Sequence, residues 1–317
     1  MTLKSGRSKM KANKILGGVL GLLFAGLVYA QSNDNNIFVQ QVGSGSTVTI
    51  TQQGDGNNVG GTGTGGPSSQ NYATLTGAGQ TVTVQQIGDN NSLQVNMTDS
   101  VSATGTVNSR TTGNNNTSII DATATGTGNY VTSVMYGNNN NTNVNIQGNA
   151  NTVTTRIGTS STDSNSNTVN NSINGDTNTA TTAIRGGDSN TVTVIQGMGS
   201  NLTNSITVPT GLQDQAGTFG AGSTASNSTA LINVTGASNT IALGQVGTAQ
   251  SASISVIGGS NGVLVAQSGA GSSTAVVSLT GDNNTASLTQ VSSSTAGNTA
   301  NVQSTGNNNT FTILQRH

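Results

Sequence analysis

Between Asn35 and Asn57 the chain alternates apolar and polar side chains in short runs, and a cluster of turn formers follows each run. The clearest run, Thr47-Val48-Thr49-Ile50-Thr51, has a period of two, the mark of a strand with one face buried. The Gly, Asp, Asn and Ser residues that follow supply turn chemistry. The stretch reads Asn35, five residues, Gln41-x-Gly43, two residues, Ser46, five residues, Gln52-x-Gly54, two residues, Asn57, so one eleven-residue unit is written twice. Each unit predicts a strand and then a turn.

The same pattern continues to the C-terminus. Gly-x-x-Asn joints recur at Gly54/Asn57, Gly88/Asn91, Gly113/Asn116, Gly148/Asn151, Gly175/Asn178, Gly236/Asn239, Gly258/Asn261, Gly281/Asn284 and Gly306/Asn309. Alternating runs such as Thr81-Val82-Thr83-Val84 and Thr191-Val192-Thr193-Val194 lie between them. A single unit offers two or three aliphatic side chains, worth about 1.5–3 kcal/mol each on burial, against roughly 11–22 kcal/mol to fix eleven backbones. Units of this kind fold only by stacking, where apolar columns and Asn or Gln amide ladders become continuous. The expectation is an all-β chain: a β-solenoid of about 20 eleven-residue strand–turn units, two strands per rung, with cross-β stacking. About ten rungs at roughly 4.8 Å make a stack about 48 Å tall. Segments 60–79 and 208–228 break the rhythm and hold the two prolines, Pro67 and Pro209, so they are expected to be loops leaving the stack.

Composition narrows the choice between disorder and repetition. The chain is 31% hydrophobic and 6% charged, with no Trp and no Cys. Its low hydrophobicity comes without the high net charge of a disordered chain, which leaves a repeat solenoid. Residues 1–30 read as a secretory signal: Lys4, Arg7, Lys9, Lys11 and Lys14 precede an apolar run over 15–28, and Ala30 precedes a cleavage site before Gln31. The run is short for a membrane span, so the expected product, 31–317, is exported and carries no membrane span. It would hold Arg110, Arg156, Arg185 and Arg316 against ten Asp, a formal net charge of −6. That balance argues against nucleic acid as a partner.

Catalytic parts are scarce. The single His is His317, and there is no Cys and no Glu, so His-based triads, thiol nucleophiles and zinc clusters have no components. The acids Asp55, Asp89, Asp176, Asp188 and Asp282 sit singly beside Gly or Asn, where Asx turns or charges that deter lateral aggregation are the expected roles. No enzymatic activity, cofactor or metal site is expected.

The pattern Ser/Asn-x5-Gln-x-Gly-x2-Asn-x5-Gln resembles the repeat of the curlin family. It appears as Ser46-x5-Gln52-x-Gly54-x2-Asn57, as Asn239-x5-Gln245-x-Gly247, and as Gly258-x2-Asn261-x5-Gln267-x-Gly269. Shorter matches are Asn141-x5-Gln147, Asn190-x5-Gln196, Asn284-x5-Gln290 and Asn309-x5-Gln315, while Ile157 and Ile184 stand where glutamines are expected. The resemblance implies a secreted subunit, major or nucleating, of extracellular curli-like amyloid fibres in biofilm matrix and surface adhesion. It also implies self-association, other curlin-like subunits and a dedicated outer-membrane export channel as partners. A monomeric solenoid adhesin or surface-layer protein is an alternative. An ice-binding solenoid is a further one, prompted by the pairs Thr47/Thr49, Thr81/Thr83 and Thr191/Thr193. The first and last rows, carrying Phe38 and Phe311, are the expected self-assembly surfaces because neither is blunted by charge or Pro.

Overall fold

The structure, a computed structural model, describes residues 25–31, 34–60, 72–99, 104–198, 223–293 and 295–316. Residues 1–24 of the expected leader, and 61–71 and 199–222 with both prolines, lie outside the described residues. Among the described residues every regular element is a β-strand, and no helix occurs. The strands build a β-solenoid of about ten turns in which successive rows pair in parallel.

As the chain advances, its strands fall alternately into two sheets. Sheet 1 holds, in order, Ala25–Gln31, Thr47–Gln53, Thr81–Ile87, Thr106–Thr112, Tyr130–Tyr136, Thr152–Ile157, Thr179–Ile184, Thr229–Thr235, Ser251–Ile257, Thr274–Thr280 and Thr299–Thr305. Sheet 2 begins with Asn36–Ile37 and Val39–Val42, and Asn58–Gly60 with Ala73–Thr76 come next. It continues through Ser92–Asp99, Thr117–Ala124, Asn141–Gln147, Thr168–Asn174, Thr191–Met198, Thr240–Thr248, Gly262–Gly269 and Thr285–Ser292 to Thr310–Arg316. Rows pair without stagger, for example Thr240↔Gly262 through Gly247↔Gly269. Equivalent side chains therefore stand directly above one another.

Part of each expected rhythm break belongs to sheet 2. Ala73–Thr76 lies inside 60–79 yet pairs with Val39–Val42 and with Ser92–Asp99. Asn58–Gly60 pairs with the remainder of those two rows. The insertion thus enters in the middle of a row and leaves its neighbours in register. Ser223–Ser226, inside 208–228, likewise joins sheet 2 beside Thr240–Thr248. Ala73–Thr76 keeps the alternation that a pleated row needs, Ala73 and Leu75 being buried and Thr74 and Thr76 half-buried, and in Ser223–Ser226 the buried member is Ala225.

The period-two pattern decides which side chains enter the core. Val48, Ile50 and Gln52 point between the sheets and are buried, while Thr47, Thr49 and Thr51 face outward. In sheet 1 the first inner column runs Val48, Val82, Val107, Val131, Val153 and then changes to alanine at Ala180, Ala230, Ala252, Ala275 and Ala300. The middle turns differ in the second inner column, where Ser109, Ser133, Thr155 and Thr182 replace the aliphatic residues found at both ends. Opposite them Ser118 and Thr142 are buried, and Thr142 Oγ1 bonds Ser118 Oγ at 2.9 Å and lies 3.3 Å from Ser133 Oγ. Asn171 Nδ2 donates to Thr155 Oγ1 at 3.1 Å. The centre of the stack therefore carries a run of hydroxyls in a column that is aliphatic at both ends.

Candidate functional site

The residues of the eleven-residue pattern form two kinds of ladder, and the asparagine ladder runs from the first row to the last. At one corner the turn residues Asn35, Asn57, Asn91, Asn116, Asn140, Asn167, Asn190, Asn239, Asn261, Asn284 and Asn309 make one unbroken file. Each backbone N–H donates to the side-chain oxygen of the preceding asparagine, at 2.8–3.1 Å. Most side-chain amides also bridge two rows. Asn239 Nδ2, for instance, donates to Asn190 Oδ1 at 3.0 Å and to the Gly258 carbonyl at 2.8 Å. Asn239 is completely buried, and this bonding satisfies the buried amide.

The other corner is chemically mixed. Ser46 Oγ accepts from Gln80 N–H at 3.1 Å, while Asn129, Asn151 and Asn178 form a short asparagine file of their own. The joints Gly148/Asn151 and Gly175/Asn178, which look identical to the rest in sequence, thus belong to this second corner. Two full members of the first file lie off the pattern: Asn140 takes the place that the match Asn141-x5-Gln147 gives to Asn141, which instead begins its strand, and Asn167 is the other. Asn140 follows Gly137 at the expected spacing but sits in a run of four asparagines with no unique phase, and Asn167 has Ser164 where a Gly is expected.

The glutamines form columns in the core. Gln52 Nε2 donates to Gln86 Oε1 at 2.8 Å in sheet 1. The second column lies in sheet 2, where Gln196, Gln245, Gln267, Gln290 and Gln315 are linked at 2.7–2.9 Å. Each member up to Gln290 also donates across the turn to the start of a sheet 1 strand, as Gln245 does to the Thr229 carbonyl at 3.0 Å. Ile157 and Ile184, the glutamine replacements, are fully buried in sheet 1 and extend the aliphatic column instead. Gly43, Gly54, Gly247 and Gly269 occupy corner positions with φ between 102° and 127°.

The last row, Thr310–Arg316, is paired on one side only, with Thr285–Ser292. Thr285 N–H donates to the Asn309 carbonyl, and that phase directs the N–H groups of Thr310, Thr312 and Leu314 out of the stack. Phe311 and Ile313 pack against the end of the core, and Leu314 is 58% exposed. At the other end Ile37 and Val39 cover the core in the same way. Phe38 lies between two strands and turns its ring to Tyr72 edge-on at 6.1 Å, so the two phenylalanines do not occupy matching places. Gln41 Oε1 is buried without a hydrogen-bond partner, and Gln315 continues its column by donating to the Thr299 carbonyl at 2.9 Å.

Four of the turn carboxylates act between rows. Asp89 Oδ1 accepts from Asp55 N–H, Asp176 from Asn149, Asp188 from Asn165 and Asp282 from Gly259, all at 2.6–2.8 Å. Asn114, Asn138, Asn165 and Asn307 make the same bond from equivalent places. The charge is therefore optional at these positions, and the acceptor is what the turn uses. Of the threonine pairs, Thr47/Thr49 and Thr81/Thr83 are neighbours on sheet 1, whereas Thr191/Thr193 is on sheet 2 and Thr193 is buried. Among the described residues no group of three or more His, Cys, Asp or Glu is placed to hold a metal. No helix among them is long and apolar enough to cross a membrane. No protein-family model and no curated protein matches the chain.

Proposed function

We propose that this protein is a secreted structural subunit that polymerises head to tail into an extracellular fibre of the curli kind. The repeat unit in this reading is the strand and turn of about eleven residues, about 20 of them, two to each turn of the stack. The observation that carries the reading is the match between the two ends of sheet 2. Asn309-x5-Gln315 in the last row and Asn35-x5-Gln41 in the first share one frame. A second copy set on the last row in that frame brings Asn35 to Asn309, Ile37 to Phe311, Val39 to Ile313 and Gln41 to Gln315. Gln41 Oε1, which has no hydrogen-bond partner among the described residues, then becomes the next acceptor of the glutamine column. Both ladders and the apolar column run through the junction, and each copy adds roughly 48 Å of fibre.

Sheet 1 adds a condition. The row that would follow Thr299–Thr305 is Ala25–Gln31 of the next copy, which here pairs with Thr47–Gln53. Processing after Ala30 takes all but one residue of that strand away and leaves a one-strand gap at each junction. N-terminal sequencing of assembled material decides the point. A start at Gln31 is expected, and a start before Ala25 would show that the strand stays.

The test of growth uses Thr312→Pro, which removes one outward-pointing N–H of the last row and leaves its bonds to the preceding row in place. The unsubstituted protein should form unbranched fibres after a lag that preformed seed abolishes, read by thioflavin fluorescence. Thr312→Pro should fold but fail to extend seed. Normal extension by Thr312→Pro, or a concentration-independent monomer in sedimentation of the unsubstituted protein, would overturn the proposal.

A further inference from the structure

No strand of sheet 1 contains an acidic residue, yet Arg110 and Arg156 project from its outer face and Arg185 stands one residue past Thr179–Ile184, all three exposed. The pairing Arg110↔Val134↔Arg156 places the first two in one column, two rows or about 9.6 Å apart. Arg156 pairs with Ala183, and Arg185 follows two residues later, about 8 Å from Arg156 by row and residue spacing. The guanidinium of Arg110 is held over the ring of Tyr136, 5.5 Å from its centroid, which fixes a side chain that would otherwise sweep freely. A shallow groove of about 190 Å³ beside it is lined by Thr83, Gln85, Asn108, Thr132 and Val134. The adjacent outer column carries hydroxyls or an amide over five rows, Thr83, Asn108, Thr132, Thr154 and Thr181, before Leu231.

We infer that this face of sheet 1 binds an acidic polysaccharide, its carboxylates on Arg110, Arg156 and Arg185 and its hydroxyls on the threonine column. Guanidinium forks match carboxylates in bidentate pairs, and the flat register of the sheet repeats hydroxyl donors and acceptors alongside them. The cation spacing favours a glycan over nucleic acid. A nucleic-acid strand carries one charge per about 3.4 Å and demands dense neutralisation, whereas three cations at roughly 8–10 Å suit a polymer that carries one carboxylate per sugar on a longer repeat. The inference concerns the side of the stack and stands whether or not the ends polymerise.

The test measures retention of the purified protein on immobilised alginate, a polyuronate, with dextran as the neutral comparison and single-stranded DNA as competitor. Binding to alginate should exceed binding to dextran, fall at least tenfold between 50 and 300 mM salt as an order-of-magnitude expectation, and resist DNA. The triple variant Arg110→Gln, Arg156→Gln, Arg185→Gln should bind about tenfold or more weakly. Gln303→Ala, at the C-terminal end of the same face, should bind as the unsubstituted protein does. Arg156→Gln alone, with fold checked by circular dichroism, should show an intermediate loss and guards against misfolding of the triple variant. Unchanged binding in the variants, equal binding to dextran, or displacement by DNA at lower concentration than by free alginate would overturn the inference.

Discussion

At most corners, as at Gly88/Asn90, Gly236/Ser238 and Gly258/Ser260, one residue leaves the strand with φ above 100° and another follows in the left-handed region. Gly258, at φ 123°, shows why the first must be glycine, since an added Cβ would stand 2.1 Å from the Gly281 carbonyl oxygen of the next row. Rows separated by one strand spacing leave no room there, and the φ itself is hostile to any L side chain. Gly258→Ala should therefore lower stability by about 3 kcal/mol or more, whereas Ser260→Gly, at φ 56° in the same turn, should be close to neutral. Thermal melts of the two variants make the comparison. A converse case lies in the core, where Thr182 Oγ1 is buried without a partner. Thr182→Val keeps the shape and removes the unpaired hydroxyl, so it should raise stability by about 1–2 kcal/mol in denaturant titration.

The element that joins these residues into a structure is the ladder rather than the strand. A strand of seven residues with three inward side chains has little stability alone, but the asparagine file ties each corner to the corners on either side. Asn239 serves both neighbours, donating to Asn190 and accepting from the Asn261 backbone and side chain. Asn239→Ala strands the buried Asn261 N–H and the Gly258 carbonyl together, and about 2–4 kcal/mol of stability should go with them. The same substitution at Asn309, which has a neighbour on one side only, should cost about half as much. Denaturation midpoints of the two variants measure the ratio, and equal losses would mean that the file adds nothing beyond each turn's own bonds.

For the whole molecule, stability is a sum over rows and the contacts between them, so length should be adjustable in whole turns. The pairing Thr240↔Gly262 and the bond from Asn261 to Asn239 make 240–261 one complete turn. Deleting 240–261 should leave every later strand in its own sheet and preserve a cooperative melt. Deleting only 251–261 moves all later strands into the opposite sheet, sets Gln267 beside Val234 and cuts the glutamine column at Gln245. That half-turn deletion should lose the cooperative transition, followed by circular dichroism. Two deletions that melt alike would show that the rows do not require alternation between sheets.

Much of the architecture was written in the chain itself. Alternation within Thr47–Gln53 or Thr81–Ile87 states which side chains enter the core, because the pleat of a strand has a period of two whatever surrounds it. The Gly-x-x-Asn joints likewise state where the chain turns, since only certain residues tolerate the corner conformations. What the tertiary structure alone decided is which residues share a file. Successive members of the asparagine file are 22 residues apart from Asn239 to Asn261, 34 from Asn57 to Asn91 and 49 from Asn190 to Asn239. Insertions are absorbed within rows and at corners, so spacing along the chain ceases to measure position along the stack. For that reason Gly148/Asn151 reads like every other joint yet lies at the opposite corner, and Gln52 and Gln196 share a motif but stand in different sheets. The arginines of sheet 1 were legible only as isolated charges, because a common face emerges once pairing has brought residues 46 and 29 positions apart to within two rows and one row of each other.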